Sequence, residues 1–386
     1  MRVLLIPVLI TITNQMRLTS PSPLASNSSN IDYYTVGIPE DTHTLEELYQ
    51  AALLEGGNLI IYAGGDSPSQ QTATKTAFEA KFPGLSAQII VDLSKIHDAR
   101  VDNQIATGTL ILDIVQLQTT HDFDRWKADG VLLQYKPVGW SQVFPEFRDT
   151  DAYFVGLYVR VFSNNINRDL LGDDESGWPT EANDYLNPEL KGKIVSTYPN
   201  DDDAILFMYK LIIDKYGWDW LAKFVANEPV FVRSTQNPFN FVLNGTYPAT
   251  FTTGGPLKPQ VTRPMQFILP KEDPFVCWAQ RAAILKEAAH PAAAKLYLSW
   301  WLSIERQNQY VQWNVRKDVP IPEGYRSIFD YPGQTDPTAF QKFMADRNAL
   351  EVFKGQFQLY VGEVKGDIPT GDLGLHPTEM LPSAFP

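Results

Sequence analysis

The sequence predicts an α/β protein in which two units of alternating strand and helix are joined in one chain. Residues 58–128 alternate short apolar runs with amphipathic segments, and the same alternation resumes at residues 193–253. A further strand–strand–helix set follows at 265–303. Such alternation predicts parallel strands with helices packed on the sheet faces. The chain has 386 residues, 44% hydrophobic and 20% charged, which supplies apolar material for more than one core and excludes a disordered polymer.

The N-terminus reads MRVLLIPVLITITNQ. Arg2 precedes an apolar run over residues 3–12 that is too short to span a bilayer. A secretory signal over residues 1–25 and a Ser/Pro/Asn-rich linker over 26–40 are expected, so the protein should be secreted, or periplasmic in a bacterium. Sequons begin at Asn27 and Asn244 and would accept glycans in a eukaryotic host. The single cysteine, Cys277, excludes an intrachain disulfide and a Cys-rich zinc site. It lies in an apolar run and reads as a buried core thiol. A net charge of -13 argues against nucleic acid as partner, because phosphate recognition needs clustered Lys and Arg.

Thr44 and Glu47 form a capping box for a first helix that Gly56 and Gly57 stop. NLIIYA (58–63) is a buried strand. Ser67 is expected to cap the next helix, with Pro68 at its first position and Gln70 completing a second capping box. Residues 86–93 and 110–118 are the next strands, with a helix over 95–107 between them and a helix after Thr120. The long run YFVGLYVRVFS (153–163) marks a change of pattern. Strands at 193–197, 229–233 and 249–253 and a long helix after the acidic loop 201–203 make the second unit. A helix starts at Pro291, and a last one is expected over 338–354.

In an open parallel sheet, ligands bind at the carboxyl ends of the strands, where the strand order reverses. With a 2-1-3 order, those ends are Gly64-Gly65-Asp66-Ser67 and Gln118-Thr119-Thr120. The second unit offers Tyr198, Asn200 and Asp201 after one strand and Thr252 and Thr253 at the end of another. Both Ser67 and Thr120 also suit plain helix caps, and Asp201 to Asp203 suit a helix N-terminus.

The chain resembles the type II periplasmic solute-binding proteins of ABC importers, in the ferric iron, thiamine and polyamine branch. The matching pieces, in order, are the helix ending AFEAKFPG, then LDIVQLQ, DRWKADGVLLQYKP, PELKGKIVSTYP and NGTYPATFTTGG. The most specific is ILPKEDPFVCWAQRAAILKEAAHPAAAKLYLSWWLS. The resemblance implies a two-lobe periplasmic-binding-protein type II fold, each lobe a mainly parallel sheet flanked by helices. Lobe one would combine residues 41–153 and 256–386, and lobe two residues 154–255. The hinge strands would lie near 153–163 and 249–253. Binding, with no catalytic step, would be the activity. Ferric-iron binders of this family carry adjacent tyrosines where this chain has Thr252 and Thr253, so tyrosine-based iron binding is not expected.

GGDSPS (64–69) also resembles the nucleophile block of GDS-type esterases, with Ser67 as nucleophile and Asp372 and His376 as its partners. The spacing of Asp372 and His376 is one residue too long, and the family's oxyanion block is missing. The expectation is therefore a binder of a small polar or charged solute. It would contact Asp66, Ser67, Gln118, Thr119, Tyr198, Asn200, Asp201, Thr252 and Thr253. It would act as a monomer, without cofactor or metal ligands, and would pass its solute to a membrane permease.

Overall fold

The computed structural model describes residues 37–257 and 264–377. The expected signal, most of the linker and Asn27 lie outside the described residues. Among these residues no helix is long and apolar enough to cross a membrane.

In chain order the first elements are α1 (Leu45–Leu54), β1 (Asn58–Gly64), α2 (Thr72–Lys81), β2 (Ser86–Asp92) and α3 (Ser94–Thr107). Then come β3 (Ile114–Leu117), α4 (Thr120–Ala128), β4 (Val155–Asn167), α5 (Arg168–Leu171), β5 (Val195–Thr197) and α6 (Asp203–Tyr216). They are followed by α7 (Trp218–Ala226), β6 (Val230–Val232), α8 (Gln236–Leu243), β7 (Ala249–Thr253), β8 (Met265–Ile268) and β9 (Val276–Ile284). The chain closes with α9 (Pro291–Trp301), α10 (Ile304–Asn308), α11 (Ala339–Ala345) and α12 (Arg347–Val361). The capping box of Thr44 and Glu47 is present, and α9 starts at Pro291 as its sequence implies.

One seven-stranded sheet has the order β2-β1-β3-β9-β4-β7, with β8 also paired to β4. The expected 2-1-3 order is present, and these three strands are parallel. A second, parallel pair joins β5 to β6. The large sheet is mixed rather than mainly parallel, because β9 runs antiparallel to both β3 and β4, and β4 to β7 and β8.

Burial on both faces explains the continuous apolar runs. Leu59, Ile61 and Ala63 of β1 enter one core with α1, α2 and α9, while Tyr62 enters a second core with Val101, Phe123 and Trp126. A third core gathers α6, α7, Phe162 of β4 and Phe251 of β7. Strands β4 and β9 serve more than one core. Cys277 and Ala279 pack in the first, Val276 and Trp278 in the third, Ala283 in the second. The strand lying beside β4 through this crossing is thus β9, whereas β7, expected as a hinge, places Ala249 and Phe251 in the lobe-two core.

The tail also differs from expectation. The single helix expected at 338–354 is two, because the Asp346 side chain accepts from Ala349 N–H and starts α12 afresh. Phe340, Met344, Leu350 and Phe357 bury themselves in the lobe-two core, not with lobe one. Residues 362–375 then cross between lobes. Asn200 Nδ2 donates to Gly362 O at 3.0 Å and Arg233 to Gly366 O at 3.3 Å, on the lobe-two side. On the lobe-one side the Thr370 hydroxyl donates to Asp92, Arg100 Nε to Gly374 O, and Gln104 Nε2 to Leu375 O.

Candidate functional site

The carboxyl ends of β1, β2 and β3 face lobe two across a cleft. It is lined by Gly64, Gly65, Asp66, Ser94, Lys95, Gln118 and Thr119 from lobe one, and by Asp201, Asp202, Asp203 and Thr235 from lobe two. Arg160, Phe162, Trp278 and Gln280 of β4 and β9 complete the lining. Close packing forces the two glycines. A Cβ on Gly64 would meet Ser94 Oγ at 2.0 Å, and one on Gly65 would meet Gln70 Oε1 and Val91 at 2.7 Å.

Ser67 does not cap a helix. The chain turns through residues 66–71 and α2 begins at Thr72. Gln70 Oε1 instead accepts from Asp66 N–H at 2.7 Å, which fixes the Asp66 backbone at the cleft edge. Thr120 is likewise a helix residue, and α4 has no side-chain cap.

Direct contacts join the two lobes here. Lys95 Nζ donates to the Asp201 carboxylate at 2.8 Å and to its carbonyl at 2.6 Å. The Thr235 hydroxyl donates to Asp66 at 2.5 Å. Gln118 Nε2 reaches Asp202 Oδ1 at 3.4 Å. Arg233 grips Asp201 from its own lobe through Nε and Nη2 at 2.9 and 3.1 Å. The space enclosed is about 50 Å³, room for an ion or a few water-sized groups.

The three aspartates of the acidic run have separate roles. Burial alone would raise Asp201, but hydrogen bonds and charge from Arg233 and Lys95 outweigh it and hold the carboxyl below its usual range. Asp202 caps α6, accepting from Ala204 N–H and Ile205 N–H at 2.9 Å each. Burial, then the Asp66 charge, push Asp202 up to about 7. Asp203 sits 3.7 Å from Arg347 and 3.8 Å from Lys354 of α12. Asp66 is also raised, chiefly by burial, against a lowering from the Thr235 hydroxyl and the Arg160 charge. Thr119 Oγ1 is buried without a hydrogen-bond partner, a state that ligand sites commonly explain.

Of the nine residues expected at the site, Asp66, Gln118, Thr119 and Asp201 line the cleft. The other five lie outside its lining. The Ser67 hydroxyl meets Ser69 at 3.1 Å. Tyr198 is buried against Phe231, and Asn200 holds the tail. Thr252 Oγ1 accepts from Thr197 N–H at 2.9 Å inside lobe two, and Thr253 O accepts from Asn165. The Thr252 hydroxyl thus serves lobe two's own strand ends, and the Asn200 amide serves the tail.

Sequence reasoning missed Lys95, Arg160, Thr235 and Gln280. A signal existed for Arg160, a lone charge in an otherwise apolar strand, since a half-buried charge needs partners. It stacks over Tyr158 at 5.8 Å. The esterase constellation is not assembled. Among the described residues no hydrogen bond joins Ser67, Asp372 and His376, and Asp372 instead accepts from Gly374 N–H. Cys277 is buried, and its thiol is pushed up to about 12 by burial, so it is inert.

The family model described as bacterial extracellular solute-binding protein matches residues 111–320. The chain belongs to this family. No curated protein matches it. Solved structures share the fold at low identity. Iron-bound HitA from Pseudomonas aeruginosa is 16% identical over 78% of this chain and 99% of its own, with a TM-score of 0.59. The periplasmic binding protein AfuA from Actinobacillus pleuropneumoniae, with fructose-6-phosphate bound, is 18% identical over 79% and 98%, with a TM-score of 0.61. The substrate binding protein of an ABC transporter from Agrobacterium tumefaciens is 14% identical over 80% and 97%, with a TM-score of 0.66. These likenesses establish the two-lobe solute-binding fold.

Proposed function

We propose that this protein captures a small solute carrying a positively charged group, closes its lobes on it without catalysis, and delivers it to a membrane permease. The supporting observation is the pairing of Asp66 from lobe one with Asp202 from lobe two. Both carboxyls are pushed up by burial, and the Asp66 charge adds to the rise at Asp202. A cation between them would replace repulsion by attraction and favour the closed form. Thr119 Oγ1 and Gln118 supply neutral polar contacts beside it. In this reading lobe one is 41–153 with the chain after 256, lobe two is 154–255, and α11 and α12 pack on lobe two.

The cleft lining has carboxylates, a lysine and an arginine but neither tyrosine nor histidine among the described residues. A tyrosinate iron site, such as adjacent tyrosines would make, is therefore not built here. About 50 Å³ accommodates an ion or an ammonium head, and a bulkier solute needs a wider cleft. The polar contacts across the cleft itself are few, each worth about 1 kcal/mol, so a ligand there can shift the lobe equilibrium.

A thermal-shift screen tests the reading, with diamines, thiamine, ferric iron, sugars and sugar phosphates, run on the full chain and on Asp66→Asn and Asp202→Asn. A cationic solute should raise Tm, by the mass-action relation of stability to ligand, and both variants should lose the rise. Stabilisation by a sugar phosphate alone, undiminished in both variants, would overturn it.

A further inference from the structure

We propose that the helix pair α3 and α4 carries a divalent transition-metal site formed by Asp98, His121 and Asp122, separate from the cleft. One ligand atom from each of these residues lies within 4.8 Å of the others. Asp98 sits on α3, and His121 and Asp122 occupy the first turn of α4. The Asp122 side chain is only 1% exposed, yet its Oδ2 has no hydrogen-bond partner. His121 Nδ1 is also buried and unpartnered. The orphaned Asp122 oxygen calls for a partner, and His121 brings its Nε2 to 3.3 Å from Asp122 Oδ1.

Arg125 does not fill that place. Its Nη2 donates to Asp98 Oδ1 at 2.8 Å and to Asp122 Oδ1 at 3.0 Å, and its Nη1 to Asp102 Oδ1 at 2.7 Å. It thus orients the carboxylates and leaves Asp122 Oδ2 unsatisfied. Three carboxyl groups surround this single guanidinium, so acidic groups outnumber basic ones here. From lobe two and α12, Asp203 and Arg347 act on His121 with opposite signs. Trp126 Nε1 donates to Asp102 at 2.8 Å and steadies the outer carboxylate. Two carboxylates with one imidazole suit Zn²⁺ or Mn²⁺, with water completing the coordination, better than the all-oxygen sets preferred by Ca²⁺ and Mg²⁺.

Titration calorimetry of the EDTA-stripped full chain with Zn²⁺ or Mn²⁺ alone tests this. One equivalent should bind, and Asp122→Asn and His121→Phe should each weaken binding by at least about tenfold. The cleft variants Asp66→Asn and Asp202→Asn should bind the metal as wild type does, which separates this site from the proposed solute site. Circular dichroism checks that each variant is folded, and the two ligand variants fail independently. Absence of metal binding by wild type would overturn the proposal and leave the Asp98–Asp122 pair sharing a proton. Loss of binding in the cleft variants, with Asp122→Asn unaffected, would overturn it as well.

Discussion

Asp202→Asn isolates the cost of placing a carboxylate in the cleft. Asparagine keeps the shape and caps a helix as well as aspartate, so Ala204 N–H and Ile205 N–H keep their acceptor. What changes is the charge. The native carboxyl titrates near 7 against an ordinary value of 3.8. Between about pH 4 and pH 7 the folded protein holds a proton that the unfolded chain has released, so stability falls as pH rises through that window. Above 7 the whole cost is present. A shift of roughly three units corresponds to about 4 kcal/mol at most. The residue as a whole is partly exposed, so solvent screening, together with the lost helix-terminus charge, reduces this to about 2 kcal/mol. Unfolding entropy for a chain of this size is about 0.7 kcal/mol per degree, which makes the expected gain about 3 °C. Thermal melts of wild type and variant from pH 4 to pH 8 should show equal Tm at the acid end and a variant advantage that grows to pH 8. A difference that does not change with pH, or a wild type more stable at pH 8, would refute the coupling of burial and the Asp66 charge at this residue.

Lys95→Met removes the lobe-bridging ion pair with Asp201, which keeps Arg233 as partner. The lysine is 39% exposed, so stability should fall by no more than about 1 kcal/mol, while small-angle scattering should report a more open molecule. Arg100→Met should cost about 3–5 kcal/mol in denaturant melts, because Asp92 is wholly buried and its 2.6 Å contact with Arg100 is an ion pair rather than an aligned hydrogen bond. Adding Asp92→Leu should recover part of that loss. Phe357→Ala should cost about 3–5 kcal/mol by the same measurement, since Phe357 is fully buried among Tyr209, Trp218 and Phe353. Ser67→Ala should leave stability within about 0.5 kcal/mol, and neither form should hydrolyse p-nitrophenyl acetate. Turnover lost on Ser67→Ala would revive the esterase.

Much of the architecture was legible from periodicity. Strands such as β1 and β7 and the start of α9 at Pro291 follow from apolar runs and helix-start chemistry, which are local properties. The strand ends carrying Asp66, Gln118 and Thr119 were found because the 2-1-3 order puts them at one place. Thr252 and Thr253 were misplaced for a long-range reason. The Thr197 backbone claims Thr252, and only the docking of β7 beside β5 shows it. Nor could the acidic run be divided by inspection. Asp201 takes Lys95 and Arg233, Asp202 takes a helix end, and Asp203 faces α12, with partners 32 to 151 positions away apart from the cap.

The sequence by itself determined the α/β class, the two alternating units and the resemblance to solute-binding proteins, because these rest on spacing and burial along a single segment. Tertiary structure alone decided that β9 runs beside β4 between the cores, and that the tail returns to lobe two and then straps across to Asp92 and Arg100. It also decided that Asp66 and Asp202 face one cleft. Those outcomes depend on which distant surfaces share a core and which charges are left facing one another, and no local pattern in the chain encodes either.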